Sequence, residues 1–139
     1  MNVVDSSGWL SYFADEPYAK HFHKSLNDPS ALIVPTIIVY EVFKVVLRES
    51  SENEALQAVA AMQKGDIIDL SLPLSMMASK LSSKYNLPMA DSIILATART
   101  FDATLWTLDS HFKNIKDVKY FPKNKRRKAG ANLNNKLIQ

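Results

Sequence analysis

Residues 2–10 read NVVDSSGWL, a short β-branched run that breaks at Asp5 into two serines and a glycine before apolar residues resume. The break has the form of a strand passing directly into a helix. Working outward from it, short β-branched runs keep alternating with longer amphipathic ones, the pattern of an α/β domain built on a mainly parallel sheet. The predicted strands are NVVD, ALIV, DIIDL, ATLWTL and VKYF. Between them lie the predicted helices WLSYFA, PYAKHFHKSL, TIIVYEVFKVVLRE, ENEALQAVAAMQ, PLSMMASKLSSKY and PMADSIILATARTF. Pro17, Pro35, Pro73 and Pro88 stand at or beside helix starts, where a missing N–H leaves no hydrogen bond unmade.

A chain of 139 residues, 47% of them apolar, holds one domain with one sizeable core. The absence of cysteine excludes disulfides and Cys-ligated metal sites and points to a reducing, cytoplasmic setting. No apolar run approaches the roughly 20 residues that span a bilayer, and the chain opens on a strand instead of a basic leader, so a soluble, unexported protein is expected. The net charge of +3 is unevenly spread: the first 122 residues set 11 basic side chains against 14 acids, and KNKRRKAGANLNNKLIQ adds six basic residues.

Open parallel sheets bind ligands at the carboxyl ends of their strands. Asp5 ends the first predicted strand and Asp109 ends ATLWTL. Glu41 lies within two turns of Pro35 at the start of its helix. Asp91 shares the inward face of its own helix with Ile94, Leu95 and Ala98, where a charge needs compensation. Each acid alone has an ordinary structural explanation. Asp5 and Asp109 suit helix N-caps. Glu41 can pair with Lys44 across i, i+3, and Asp91 can answer the dipole of its helix.

Those explanations leave the convergence of the four unaccounted for. Two unit charges about 4 Å apart repel by about 4 kcal/mol at an effective dielectric of 20, so crowded carboxylates call for a counter-cation. Oxygen donors without cysteine suit Mg²⁺ or Mn²⁺.

The ordered stretches VVDSSGWL, VPTIIVYEVFKV, LPMADSIILATA and LWTLDSHF together resemble the PIN domain, and most of all its VapC-like ribonuclease toxins of prokaryotic toxin–antitoxin pairs. The resemblance runs from Asn2 to about Phe121. It implies a three-layer α/β/α fold with a mainly parallel sheet of about five strands, a nuclease domain over residues 1–122; the basic, flexible tail of residues 123–139, read from its composition, departs from a minimal member of the family. Asp5, Glu41, Asp91 and Asp109 match the family's acidic metal ligands, and Thr107 matches the hydroxyl residue beside them. The implied activity is Mg²⁺- or Mn²⁺-dependent endoribonuclease cleavage of RNA, leaving a 5′-phosphate and a 3′-hydroxyl. A homodimer inhibited by a cognate antitoxin is implied as well.

Other signals are weaker. His21 and His23, two apart on a predicted helix, do not face each other and read as a solvated face. His111 reads as a surface residue that can touch substrate phosphate. Ser6 and Ser7 suit either helix capping or contacts near the metals. Met76 and Met77 suit core or dimer packing. The tail segment KNKRRK, with Tyr120 and Phe121 just upstream, suits either a phosphate-binding strip with stacking groups or a solvated end. Two other functions stay open: a housekeeping RNA-processing nuclease on the same fold, and a non-catalytic RNA-binding module, which gains nothing from four repelling acids. A phosphatase of the haloacid-dehalogenase type wants a second acid two residues after Asp5, where Ser7 stands.

Overall fold

A computed structural model describes residues 1–123; the segment KNKRRK and the rest of the tail lie outside the described residues from position 124 onward. Five strands occur among them: β1 (Asn2–Val4), β2 (Ile33–Pro35), β3 (Asp66–Ile68), β4 (Thr104–Thr107) and β5 (Val118–Tyr120). Every pairing is parallel. Strands β1 and β5 flank β4, with Asn2 opposite Thr104 and Leu105 opposite Val118. Strand β2 pairs with β3, and a single parallel bridge between Asn2 and Leu32 joins the two groups into the order β3-β2-β1-β4-β5. Strands β1, β3, β4 and β5 are portions of the runs predicted for them, β2 begins two residues later than ALIV and takes in Pro35, and the five-stranded parallel sheet expected from the alternation is present.

Parallel strands buried on both faces read as continuous apolar runs, because successive side chains point to opposite sides. Val3 and Val4, and likewise Ile33, Val34 and Pro35, are buried one after another. Helices therefore cover both faces of the sheet, giving three layers, α/β/α. They are α1 (Ser6–Phe13), α2 (His23–Leu26), α3 (Thr36–Glu49), α4 (Glu52–Met62), α5 (Leu72–Tyr85) and α6 (Met89–Thr100). Ser51 and Ser71 cap α4 and α5 by accepting the N–H groups of Glu54 and Leu74, and Asn86, in the left-handed region at φ 54°, ends α5. The stretch PYAKHFHKSL differs from the single helix expected. It forms a 3₁₀ turn over Pro17–His21 and then α2, with the break at Phe22, whose ring is fully buried. Anchoring that ring takes precedence over continuing one helix.

Helix α6 is apolar nearly all round: every residue from Asp91 to Ala98 is buried, as expected of a helix at the centre of the fold. Its buried hydroxyls are satisfied within the helix, Ser92 donating to the Met89 carbonyl and Thr97 to that of Ile93. Asp91 is the one charged residue in that buried run. It has no such internal answer.

The approach of α1 to β1 depends on Gly8. A Cβ there would lie 2.6 Å from Val4 Cγ1 and 2.9 Å from Phe22 Cδ1, and both neighbours are core side chains. Gly8→Ala gains about 1 kcal/mol of helix propensity, against about 1–3 kcal/mol for overpacking a close-packed core. The expected outcome in urea denaturation is a net loss of stability of up to about 2 kcal/mol. A stabilised variant would show that α1 can move off the sheet freely.

Candidate metal centre

Because all five strands run the same way, their carboxyl ends share one edge, and the elements leaving that edge carry the acids. Strand β1 ends at Val4, opposite Trp106 of β4, so Asp5 and Thr107 emerge as neighbours. The Asp5 N–H donates to the Trp106 carbonyl at 2.9 Å, extending the ladder by one step. Asp5 occupies the N-cap position of α1, and its backbone carbonyl accepts from Gly8 and Trp9, but its carboxylate makes no capping bond. Oδ2 instead accepts the hydroxyls of Thr107, at 2.8 Å, and Ser7, at 3.1 Å. The side chain thus links the first turn of α1, through Ser7, to β4, through Thr107.

Thr107 and Ser7 carry the hydrogen bonding onward. Thr107 Oγ1 also accepts the Asp109 N–H at 2.9 Å, and Ser7 Oγ accepts that of Leu108 at 3.1 Å. One fully buried threonine therefore fixes the carboxylate of Asp5 and the backbone of Asp109 together. Asp109 caps the 3₁₀ turn Ser110–Phe112, with Oδ1 accepting the His111 N–H at 2.9 Å, so the capping role open to it in the sequence is present.

The charges on this edge are poorly compensated. Burial holds the Asp5 carboxyl above the usual carboxylate range against the Thr107 and Ser7 hydroxyls, with Asp109 adding a smaller upward push. Glu41, on α3, is pushed up to about 7, first by burial and then by the charge of Asp5, with Asp91 and Asp109 contributing less and the Ser6 hydroxyl opposing. Asp91, near the start of α6, is raised to about 6 by burial, then by Asp109 and Asp5, with His111 opposing. Four carboxyl groups from β1, α3, α6 and the end of β4 thus lie within one another's fields. Among the described residues no Lys or Arg ion-pairs with any of them.

Two observations bear on what this edge can hold. Glu41 Oε1 is buried without a hydrogen-bond partner, the one carboxylate oxygen in that condition among the described residues. An unpartnered buried charge is among the more unfavourable arrangements a fold can keep, and an oxygen donor of this kind fits a hard divalent cation. Ligand atoms of Asp91, Asp109 and His111 also lie within 4.8 Å of one another, tight enough to share one ion. Asp5 and Glu41 stand outside that group and border it electrostatically.

His111 lies at the surface, as the sequence reading favoured, and its ring also reaches two of the acids. Its side chain is 57% exposed, yet Nδ1 lies 2.9 Å from Asp91 Oδ2 and 3.3 Å from Asp109 Oδ1. The hydrogen bond to Asp91, with the charge of Asp109, raises its pKa. The available signal was its position two residues after a capping aspartate, where the tight turn folds the ring back over the cap. His21 stacks at 4.1 Å on Phe121, and Phe121 also stacks on Trp106, so this ring, proposed above as a free stacking group, is engaged in packing. Met76 and Met77 are exposed, which removes the core alternative for that pair.

Compared with known proteins, the chain matches the PIN domain family model over residues 3–118. No curated protein matches it by sequence. Among solved structures it is similar to a toxin–antitoxin complex from Klebsiella pneumoniae, at TM-score 0.76 and 22% identity over 88% of this chain and 100% of that one. It is similar also to the sarcin-ricin loop cleaving toxin VapC20 of Mycobacterium tuberculosis, at TM-score 0.67 and 15% identity, covering 81% and 92%. A third is VapBC2 from Rickettsia felis bound to a DNA fragment from their promoter, at TM-score 0.67 and 16% identity, covering 87% and 97%. At these identities the likeness is one of fold.

The raised carboxyl of Glu41 sets a sign for pH dependence. Its folded-state pKa of about 7 stands above the ordinary glutamate value of 4.5, so the metal-free folded state binds the proton more tightly than the unfolded chain does. The stabilising contribution is full below about pH 4.5 and lost as pH rises toward and through about 7. In EDTA, Glu41→Gln should therefore melt above the parent at pH 8, and the gap should close by pH 5. A gap that stays constant across that range would place Glu41 in ordinary solvent.

Proposed function

The chain belongs to the PIN domain family, and from that premise we propose that it is a divalent-metal-dependent endoribonuclease, the toxin of a toxin–antitoxin pair. The single observation that carries the metal-dependent part is the set of crowded carboxylates at one sheet edge, including a buried Glu41 oxygen without a partner. The toxin assignment is supported by the neighbours in fold, of which one is described as a toxin–antitoxin complex and another as a toxin that cleaves the sarcin-ricin loop. A housekeeping RNA-processing nuclease uses the same site and stands second.

Asp5, Glu41, Asp91 and Asp109 would hold the ion. Mg²⁺ or Mn²⁺ bound there supplies Lewis acidity, which makes water a better nucleophile and offsets charge on the scissile phosphate. The protein's own groups do the rest. Thr107 and Ser7 hold the Asp5 carboxylate in one orientation through two hydroxyl donors, so its position needs no rearrangement when substrate arrives. A carboxylate of the four that is not engaged with the ion would take the proton of the attacking water. The order of roles follows burial: Asp5 is the most enclosed and least able to exchange protons with solvent, and Asp109 is more open.

The partners follow from charge and surface. An anionic pocket of this kind suits an antitoxin arm that inserts an Arg or Lys among the carboxylates. Leu72, Met76, Met77 and Met89 leave an apolar patch on α5 and the start of α6, and we assign it to a homodimer contact. The basic tail would add RNA affinity without sequence choice. No helix among the described residues is long and apolar enough to cross a membrane, and a cytoplasmic setting accords with an RNA substrate and a cysteine-free chain.

Asp91→Asn removes one ligand charge and keeps the shape. It should lower Mg²⁺-dependent RNA cleavage by more than the roughly 100-fold typical of losing an outer partner of a metal ligand, with a native circular dichroism spectrum. Induced expression of the parent should arrest growth, and Asp91→Asn should relieve the arrest. Cleavage at the parental rate would overturn the nuclease site; undiminished cleavage loss without any growth effect of the parent would favour the housekeeping enzyme.

A further inference from the structure

We propose that His111 is itself a ligand of this centre, its Nδ1 supplying a nitrogen donor that shifts the site's preference from Mg²⁺ toward first-row transition ions. The inference rests on the metal-centre reading above and extends it to a residue outside the acidic quartet. Among the described residues, the three metal-ligating side chains whose ligand atoms all lie within 4.8 Å of one another are Asp91, Asp109 and His111, not a purely acidic set. Two ligands bound at about 2.1 Å and at right angles to one ion stand about 3.0 Å apart. Nδ1 is 2.9 Å from Asp91 Oδ2 and 3.3 Å from Asp109 Oδ1.

The ring is held in place by its own turn. The His111 N–H is tied to Asp109 Oδ1 at 2.9 Å, and the Asp109 N–H is tied to buried Thr107 at 2.9 Å. The next residue, Phe112, is fully buried and pins the turn to the core. A side chain so anchored keeps Nδ1 between two carboxylates from different parts of the chain. Its substantial exposure leaves a route for an aqueous ion. In the metal-free protein Nδ1 is within hydrogen-bond distance of Asp91 Oδ2, and an ion held among the three side chains would take the lone pair of Nδ1 in place of that contact.

The chemistry gives a selectivity. Carboxylates and water suit Mg²⁺, whereas an imidazole nitrogen favours ions further along the series, such as Co²⁺. A histidine that only oriented the carboxylates from outside would alter affinity for every divalent ion alike.

Isothermal titration of the full chain with MgCl₂ and with CoCl₂, for the parent and His111→Asn, separates these cases. Asparagine keeps a hydrogen-bond donor near the Nδ1 position but offers no imidazole, and the residue's exposure makes a folded variant the expectation, checked by a cooperative melt. The expected result is about a tenfold loss of Co²⁺ affinity with Mg²⁺ affinity changed by less than about threefold. The Mn²⁺-loaded parent should also show a ¹⁴N coupling by electron spin-echo spectroscopy that the variant lacks. Equal losses for both ions, or a ¹⁴N signal that survives in the variant, would overturn the assignment of His111 while leaving the acidic centre standing. A parent that binds neither ion would bring down both.

Discussion

Repulsion among carboxylates is the constraint that organises this molecule. Asp5, Glu41 and Asp91 all have carboxyls pushed above their ordinary range, in each case first by burial, with the charge of Asp109 adding to it in all three. A fold selected for stability alone would place apolar or neutral residues at such positions. Here the sheet edge keeps acids, surrounds them with hydroxyl donors in place of cations, and leaves Glu41 Oε1 without any partner. The arrangement is intelligible if a divalent ion completes it, since the same ion removes the repulsion and supplies the reactivity.

The fold serves this edge. An all-parallel sheet brings the ends of β1 and β4 side by side, and a one-step extension of their ladder puts Asp5 against Thr107. Gly8 lets α1 lie close on β1 directly after Asp5, so the chain turns away at once and leaves the carboxylate at the rim. Helix α6, buried on every side, carries Asp91 in at its first turn, where the helix dipole lowers the strain of an anion. These are rigid elements, and a site built on them is positioned more sharply than one built on loops.

Much of this was legible in the sequence because it is governed by local periodicity. The five strands, the helix starts marked by proline and the α/β class follow from patterns a few residues long. The edge on which Asp5 and Asp109 meet follows from the parallel order. Tertiary packing decided what periodicity missed. PYAKHFHKSL is broken because Phe22 is drawn into the core. Phe121 is taken up by His21 and Trp106, which are distant in sequence. His111 is exposed by every local criterion, and its approach to Asp91 depends on a contact spanning 20 positions. Asp109 caps its turn with Oδ1 and also borders the other acids, so finding the cap does not by itself decide between the two readings of that residue.

The measurement that tests the central claim most directly is a pair of thermal melts at pH 8, of the parent and Asp5→Asn, each in EDTA and in millimolar Mn²⁺. Asparagine keeps an acceptor for Thr107 and Ser7 while removing a buried charge. If the acids crowd in order to hold an ion, the variant melts above the parent in EDTA, and Mn²⁺ raises the parent more, because a ligand stabilises only the state that binds it, by RT ln(1 + [L]/Kd). A purely structural Asp5 binds no ion, so Mn²⁺ then shifts parent and variant alike. Equal melting temperatures without metal, together with equal shifts on adding it, would contradict the account.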